Sequence, residues 1–277
     1  AWNGHQALIQ VEYVFREEAI DPRNGRPDSF QALISGIEFR NNGSAGDDRL
    51  GQAAGLSINQ ADVIVDSNYF HDLQAYDGAA LLIRQFSRAQ VVNNLIWNNG
   101  GTRWGAVVDT RNDAGNNEGT IYLGNSFIGN TAKEGSALFH DFGGGVFLNN
   151  LVAGNVSAGL DSGAIDTPAL EAKGALMLRK DSTLSVLMNT FSGNQVVDAV
   201  DPNSGAINIE TEGSTNVVQL NVFAGNAVER GRDLSLNGNV SVGRGGAIGI
   251  FNQSTPLIEF NLFTGNQAGY GGSAIAS

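Results

Sequence analysis

Short apolar runs, each bordered by glycine, asparagine, aspartate or serine, follow one another along the whole chain. Typical runs are Val63-Ile-Val65, Ile121-Tyr-Leu123, Val146-Phe-Leu148 and Ala206-Ile-Asn-Ile209. Their β-branched and aromatic residues and their turn-forming borders predict strands. No longer stretch with helical periodicity separates them, so the pattern predicts an all-β fold without crossover helices.

A phrase of the form Asn-x-[Phe/Ile/Val] recurs along the chain, in most copies with a second asparagine five residues after the first. It begins at Asn68, Asn94, Asn125, Asn150, Asn189, Asn221 and Asn261. The spacing between copies varies from 25 to 40 residues. Repeats of this length with variable insertions predict a solenoid.

A second phrase, a pair of small residues followed by alanine and an apolar residue, alternates with the asparagine phrase. Clear copies are Ser204-Gly-Ala206-Ile207 and Gly245-Gly-Ala247-Ile248. The distance from this alanine to the next asparagine is 13 to 15 residues in five repeats and 19 from Ala106 to Asn125, whereas the return distance varies from 12 to 26. Insertions are therefore concentrated after the second asparagine of each repeat.

These repeats predict a single-stranded parallel β-helix of roughly 8 to 9 coils, right-handed by the general preference of parallel connections. Residues at equal phase stack at the inter-strand spacing and form columns. The residue after the alanine (Leu81, Val107, Leu138, Ile165, Leu176, Ile207, Ile248, Ile275) and the residue two after the asparagine are expected to line the core. The asparagines are expected at bends in left-handed backbone, bonded to each other as two ladders.

Residues 53–277 are expected to form one continuous domain of parallel β-helix repeats. Residues 1–52 are expected to form an N-terminal cap or degenerate first coils. The chain stops at Gly272-Ser-Ala-Ile-Ala-Ser277, inside a strand and without a capping segment. Natural solenoids cover such an edge. We therefore expect either a continuation of the chain or end-to-end stacking with another subunit, which would build a fibre.

The two phrases resemble the GG[A/S][I/L/V] and FxxN repeats of polymorphic outer membrane protein (Pmp) adhesins. Phe127-Ile-Gly-Asn130 and Phe263-Thr-Gly-Asn266 match one motif, and Gly135-Ser-Ala-Leu138 and Gly245-Gly-Ala-Ile248 match the other. Phe70-His-Asp-Leu73 departs from the pattern, and no barrel domain follows. The resemblance implies a right-handed β-helix of the kind found in autotransporter passengers, with an adhesive role.

Composition narrows the range of partners. The net charge of −12 argues against nucleic acid and against unaided binding of anionic membranes or acidic polysaccharides. The absence of cysteine excludes disulfides and thiol catalysis but not secretion. The sequence shows neither a signal peptide nor a long apolar span, so the chain as given is expected to be soluble. An extracellular or cell-surface location of bacterial type is expected.

One predicted core column contains polar residues. Asp109 and His140 occupy the same phase in neighbouring coils, with Thr167 as the nearest third member. An Asp-His pair can orient an imidazole for general base catalysis. The alternative is a polar pair at a strand end. The loop Asp109–Glu118 gathers three carboxylates, which allows calcium, although its spacing matches no known calcium loop and a solvated turn is favoured.

An outward column three residues after the asparagine begins with His71, Trp97 and Ile128, and Trp104 lies in the adjoining bend. Exposed aromatic residues on a flat sheet dock sugars or proteins, although cover by an N-terminal segment competes with this interpretation.

The favoured function is a non-catalytic, adhesive or structural surface protein that binds itself or a host or neighbouring protein or glycan. No catalytic, cofactor-binding or metal residue is assigned. The alternative is a secreted polysaccharide-degrading lyase or glycoside hydrolase that uses the region of Asp109 and His140.

Overall fold

The computed structural model describes residues 7–12, 20–21, 26–27, 32–43, 52–85, 87–110, 119–159, 171–197, 199, 201–212, 215–229, 243–269 and 271–277. Every regular element in these segments is a β-strand. Apart from the antiparallel pair Ile20–Asp21 and Arg26–Pro27, the strands stack in parallel from one coil to the next. The predicted parallel β-helix is confirmed, and its right-handed sense stays a prediction.

Each coil contributes strands to four faces in turn, beginning with the face that follows the alanine phrase. Face 1 contains Ile9–Glu12, Leu56–Asn59, Leu81–Arg84, Val107–Thr110, the first part of Leu138–Leu148 and of Leu176–Leu187, Ile207–Glu210, Ile248–Ile250 and Ile275–Ala276. Face 2 contains Ala32–Ser35, Asp62–Asp66, Arg88–Val92, Thr120–Leu123, the second part of the two long strands, Val217–Gln219 and Leu257–Glu259. The long strands run through the corner and join the two faces into one 15-stranded sheet.

The other two faces are separate sheets. Face 3 contains Glu38–Arg40, Tyr69–His71, Leu95–Trp97, Ser126–Ile128, Leu151–Ala153, Thr190–Ser192, Val222–Ala224 and Leu262–Thr264. Face 4 contains Gln74–Asp77, Gly100–Trp104, Thr131–Ala132, Val156–Ala158, Gln195–Val197, Ala227–Val228 and Gln267–Ala268. Glu171–Lys173 and Asp201–Asn203 pair at the corner where the chain returns to face 1. The described residues trace eight coils and the first strand of a ninth.

Part of the N-terminal region has the structure of a coil. Ile9–Glu12, Ala32–Ser35 and Glu38–Arg40 pair in register with the strands of the next coil on faces 1, 2 and 3. Because these three strands follow the same order around the tube as later coils, they form a first coil of the stack.

The core is built from vertical columns, as the repeats predicted. The column after the alanine is fully buried from Leu81 to Ile248, and Phe191, Phe223 and Phe263 stack with ring centroids 5.0 Å apart. Ile165 and Thr167, which were predicted to lie in these columns, are outside the described segments. Leu138 pairs directly with Leu176 and His140 with Leu178, which leaves no place for another coil between them.

Both asparagine ladders are confirmed. In the first, which runs from Asn68 to Asn261, each side-chain Nδ2 donates to the Oδ1 of the next asparagine at 2.9 to 3.0 Å. The second ladder runs from Asn99 to Asn266 with distances of 2.9 to 3.1 Å. In coil 2, Leu73 takes the ladder position and only its backbone N–H bonds to Asn99 Oδ1. Each ladder therefore satisfies the amide groups of a bend that is buried from water.

The left-handed backbone lies one residue earlier than predicted. The residue before each asparagine of the first ladder has a positive φ, including Met188, Leu220 and Phe260 at 55° to 58°. The ladder asparagines themselves keep ordinary backbone angles. The side chain of a ladder asparagine points inward and must stay in register with the asparagines of the neighbouring coils. The positive φ of the bend is therefore adopted by the preceding residue, whose side chain points outward.

Candidate functional site

Asp109 and His140 lie side by side inside the tube. They are register partners on face 1 and both are fully buried. His140 Nε2 is 3.8 Å from Asp109 Oδ2, which is beyond hydrogen-bonding distance for these two atoms. Tyr122 donates its hydroxyl to Asp109 Oδ2 at 3.0 Å, and His140 Nδ1 lies 2.8 Å from Ser182 Oγ. The pair therefore belongs to a closed polar cluster.

This cluster has partners that the sequence reasoning missed. Tyr122 stands in a face 2 core column that is otherwise apolar, with Val91 and Phe147 as its stacked neighbours. The tyrosine in this apolar column was the sequence signal for a buried polar cluster, because a buried hydroxyl requires a hydrogen-bond partner. No polysaccharide can contact side chains sealed inside the tube, so the arrangement favours the structural role of the pair.

Residues 111–118 of the loop Asp109–Glu118, for which calcium was considered, lie outside the described segments. Asp109 itself points into the core, where Tyr122 binds it. Among the described residues, no group of three or more His, Asp or Glu side chains is placed to hold a metal ion.

The aromatic column on face 3 is present but shorter than expected. Trp97 is 40% exposed and pairs in register with His71 and Ile128. His71 is buried between Glu38 and Asp72, whose carboxylates lie 2.9 and 2.7 Å from its ring nitrogens. Burial alone would lower the pKa of His71, but the two carboxylates raise it above its ordinary value. His71 is therefore a buried partner of Trp97 rather than an exposed ligand.

Trp104 does not join this column. Its ring stacks on Phe139, with centroids 4.2 Å apart, outside face 1. Arg103 places its guanidinium 3.4 Å from the other side of the same ring. With both faces covered, Trp104 is a packing element of a different surface.

Exposed large apolar side chains are concentrated on faces 2 and 3. Among the described residues, ten of the twelve lie there or at the corner between them: Leu33, Leu95, Trp97, Ile121, Leu151, Met188, Leu220, Leu257, Phe260 and Leu262. We call these ten the apolar surface. Met188, Leu220 and Phe260, the apolar corner, are its most prominent stack, because Phe260 alone is 79% exposed. A contiguous patch of this kind marks an interaction surface.

Face 3 also lacks charge over most of its height. Its six strands from Leu95–Trp97 to Leu262–Thr264 contain no Asp, Glu, Lys or Arg. The chain as a whole carries −12, so this face differs strongly from the average surface. A partner can cover it without desolvating a charge.

A groove runs along the outside of face 1. Its floor consists of outward side chains that are nonetheless buried, and these form a second hydrophobic cluster of Ala53, Leu82, Val108, Phe139 and Met177. Trp104 packs against this cluster from the corner with face 4. The groove is therefore a built feature with an apolar base and polar walls.

Two clefts of about 380 Å³ each lie in the groove and share Lys180. The charged residues of the first cleft are Asp77, Asp141, Arg84, Arg103 and Lys180. Those of the second cleft are Asp181, Glu210, Glu212, Arg179 and Lys180. Across both clefts, five carboxylates face four cations, so the walls are close to neutral.

Asp77 has the most perturbed pKa of the groove. Burial raises the pKa of its carboxyl to about 6, against the opposing charges of Arg103 and Arg84. Arg103 Nε lies 3.3 Å from Asp77 Oδ1, but the contact lacks hydrogen-bond geometry. An ion pair that is not aligned compensates only part of the cost of burial.

No protein-family model, curated protein or solved structure matches the chain. The resemblance to Pmp adhesins therefore stays a prediction. The described residues include no helix with the length and apolar character needed to span a membrane.

Proposed function

We propose that the chain is a non-catalytic, adhesive or structural β-helix of a secreted or cell-surface type, which associates laterally with further copies of itself through the apolar surface. The observation that carries the proposal is the concentration of exposed apolar residues on two adjoining faces. The resemblance to Pmp adhesins agrees with such a role.

The size of the surface suits a protein interface. Six coils at the inter-strand spacing, covering faces 2 and 3 and their corner, present about 800 Å². Stable protein interfaces bury about 800 Å² on each partner. The apolar surface is therefore large enough for one specific contact.

The charge distribution favours contact between two copies through this surface rather than through other parts of the molecule. Two chains of −12 repel each other through most of their surfaces. Face 3 is the uncharged exception, so contact there brings the fewest like charges together. Because Asp109 and His140 are sealed in the core, the enzymatic alternative has no support from that pair.

Sedimentation equilibrium over a wide concentration range tests the proposal. The wild type is expected to associate, and the triple variant Met188→Asn, Leu220→Asn, Phe260→Asn to remain monomeric. Leu8→Asn is the matched control, because Leu8 is 50% exposed but lies outside the apolar surface. A monomeric wild type, or equal association of the triple variant, would contradict lateral association.

End-to-end stacking at the coil ends stays a second prediction from the sequence. Electron microscopy separates the two geometries, since lateral contacts give side-by-side particles and stacked coils give thin fibres. If thin fibres form equally well from the triple variant, the coil ends carry the association. Binding of a host protein or glycan to a strictly monomeric chain would replace self-association with a foreign partner.

A further inference from the structure

The groove over face 1 contains buried carboxylate oxygens that lack a hydrogen-bond donor. Asp141 accepts from Lys180 Nζ at 2.8 Å through Oδ2, but its Oδ1 has no partner among the described residues. Asp77 Oδ1 is likewise without a hydrogen bond there. Both residues are at most 4% exposed, and both line the first cleft. An unsatisfied buried acceptor is costly. Asp141 Oδ1 lacks a donor and Asp77 Oδ1 faces only the unaligned Arg103 Nε at 3.3 Å, so both oxygens favour donors supplied from outside the chain.

The cations beside these carboxylates are the more exposed part of the cleft wall. The side chains of Arg103 and Lys180 are 38% and 45% exposed, against 3% and 6% for those of Asp77 and Asp141. Long cationic side chains change rotamer readily at a surface. Movement of Arg103 or Lys180 opens the free oxygens to a ligand that enters the cleft.

The nearly balanced charge of the groove walls favours a neutral ligand. With five carboxylates facing four cations, the walls attract neither a polyanion nor a polycation. Hydroxyl groups donate to carboxylates and accept from guanidinium and ammonium groups, so a neutral polyol satisfies both kinds of wall. The two clefts meet at Lys180, and the groove therefore admits an extended chain rather than a single small molecule.

We propose that the groove over face 1 binds a neutral oligosaccharide that lies along the axis of the β-helix, with its hydroxyls donating to Asp77 and Asp141. Leu82, Val108 and Trp104 line the first cleft and give it a hydrophobic base beside its polar walls, the usual composition of a binding cleft. This site is on a different face from the apolar surface and does not depend on self-association.

Isothermal titration with defined oligosaccharides tests the inference. The probes are neutral hexasaccharides of glucose, mannose and xylose, a uronic acid hexamer and a glucosamine hexamer. At least one neutral hexamer is expected to bind, and both charged hexamers more weakly. Asp141→Asn and Lys180→Gln are each expected to weaken that binding about tenfold or more, because each removes a charged hydrogen-bonding group.

Asp66→Asn is the matched control, since Asp66 lies on face 2 away from the groove. This variant and the triple variant of the apolar corner are expected to bind the sugar as the wild type does. Lys180→Gln alters a side chain 45% exposed and provides a folded variant should Asp141→Asn prove unstable. Absence of binding by every neutral hexamer, tighter binding of a charged hexamer, or an equal loss in Asp66→Asn would each overturn the inference.

Discussion

At the scale of single residues, burial outweighs ion pairing in setting the charge of Asp77. Burial raises the pKa of its carboxyl to about 6 from a reference of 3.8, although Arg103 and Arg84 oppose the shift. A carboxyl with a raised folded-state pKa takes up protons on folding. Its contribution to the free energy of unfolding is therefore largest at acidic pH and is lost as the pH rises through about 6.

Replacement of Asp77 by asparagine is expected to remove this pH dependence. Between pH 4.5 and pH 7.5 the group lowers wild-type stability by about 2 kcal/mol, and Asp77→Asn lacks this loss. Urea unfolding gives the free energy of unfolding of both proteins at the two pH values. The change with pH in the variant is then subtracted from the change in the wild type, which cancels the contribution of all other titrating groups. Equal pH dependence in the two proteins would show that the Asp77 carboxyl titrates normally.

At the scale of elements, an asparagine with ladder neighbours on both sides donates at least two side-chain hydrogen bonds and accepts two. Asn150 accepts from the backbone N–H and the Nδ2 of Asn125 at 2.8 and 3.0 Å. It donates to Tyr122 O and to Asn189 Oδ1, both at 3.0 Å. Because the residue is buried, every one of these partners depends on it.

Asn150→Ala is expected to lower the free energy of unfolding by at least about 3 kcal/mol, because several buried polar groups lose their partners at once. Asn149→Gly is the matched control, as it removes an adjacent exposed amide and retains the positive φ of 53°. The control is expected to change stability by less than about 0.5 kcal/mol. Denaturant unfolding measures both, and equal losses would mean that the ladder amides contribute no more than surface amides.

All three residues of the apolar corner have a positive φ, a backbone conformation that is strained for these side chains. Leu220 is 51% exposed and has a φ of 58°, a conformation that asparagine accepts more readily than leucine. Leu220→Asn is therefore expected to raise the free energy of unfolding by about 0.5 to 1 kcal/mol. Leu262→Asn, an exposed leucine in a regular strand, is expected to be neutral or destabilising. A loss of stability in Leu220→Asn as large as in Leu262→Asn would contradict backbone strain.

The features that repeat in every coil were predicted from the sequence, whereas a feature that depends on a single corner was not. Alternation and phase identified the core columns and both ladders, because each coil repeats the same contacts. The floor of the groove could not be predicted in this way. Phe139 and Met177 stand in outward positions, and they are buried because chain from another face, at Trp104, folds over them. That contact depends on the path of one corner rather than on a repeat.

At the scale of the whole molecule, charge is unevenly distributed over the faces. The chain carries −12, while six strands of face 3 contain no charged residue. Long-range repulsion therefore opposes the approach of two copies, and a short-range apolar contact favours it. The two terms respond differently to salt, since only the repulsion is screened.

Self-association is therefore expected to strengthen as salt is raised from about 20 mM to about 500 mM, where the Debye length falls from roughly 20 Å to roughly 4 Å. Sedimentation equilibrium of the wild type at both concentrations measures the change, and the triple variant of the apolar corner is expected to remain monomeric at either. Weaker association at high salt would contradict the proposal, because it would mean that opposite charges hold the copies together. Association of the triple variant at high salt alone would place the contact elsewhere than at Met188, Leu220 and Phe260.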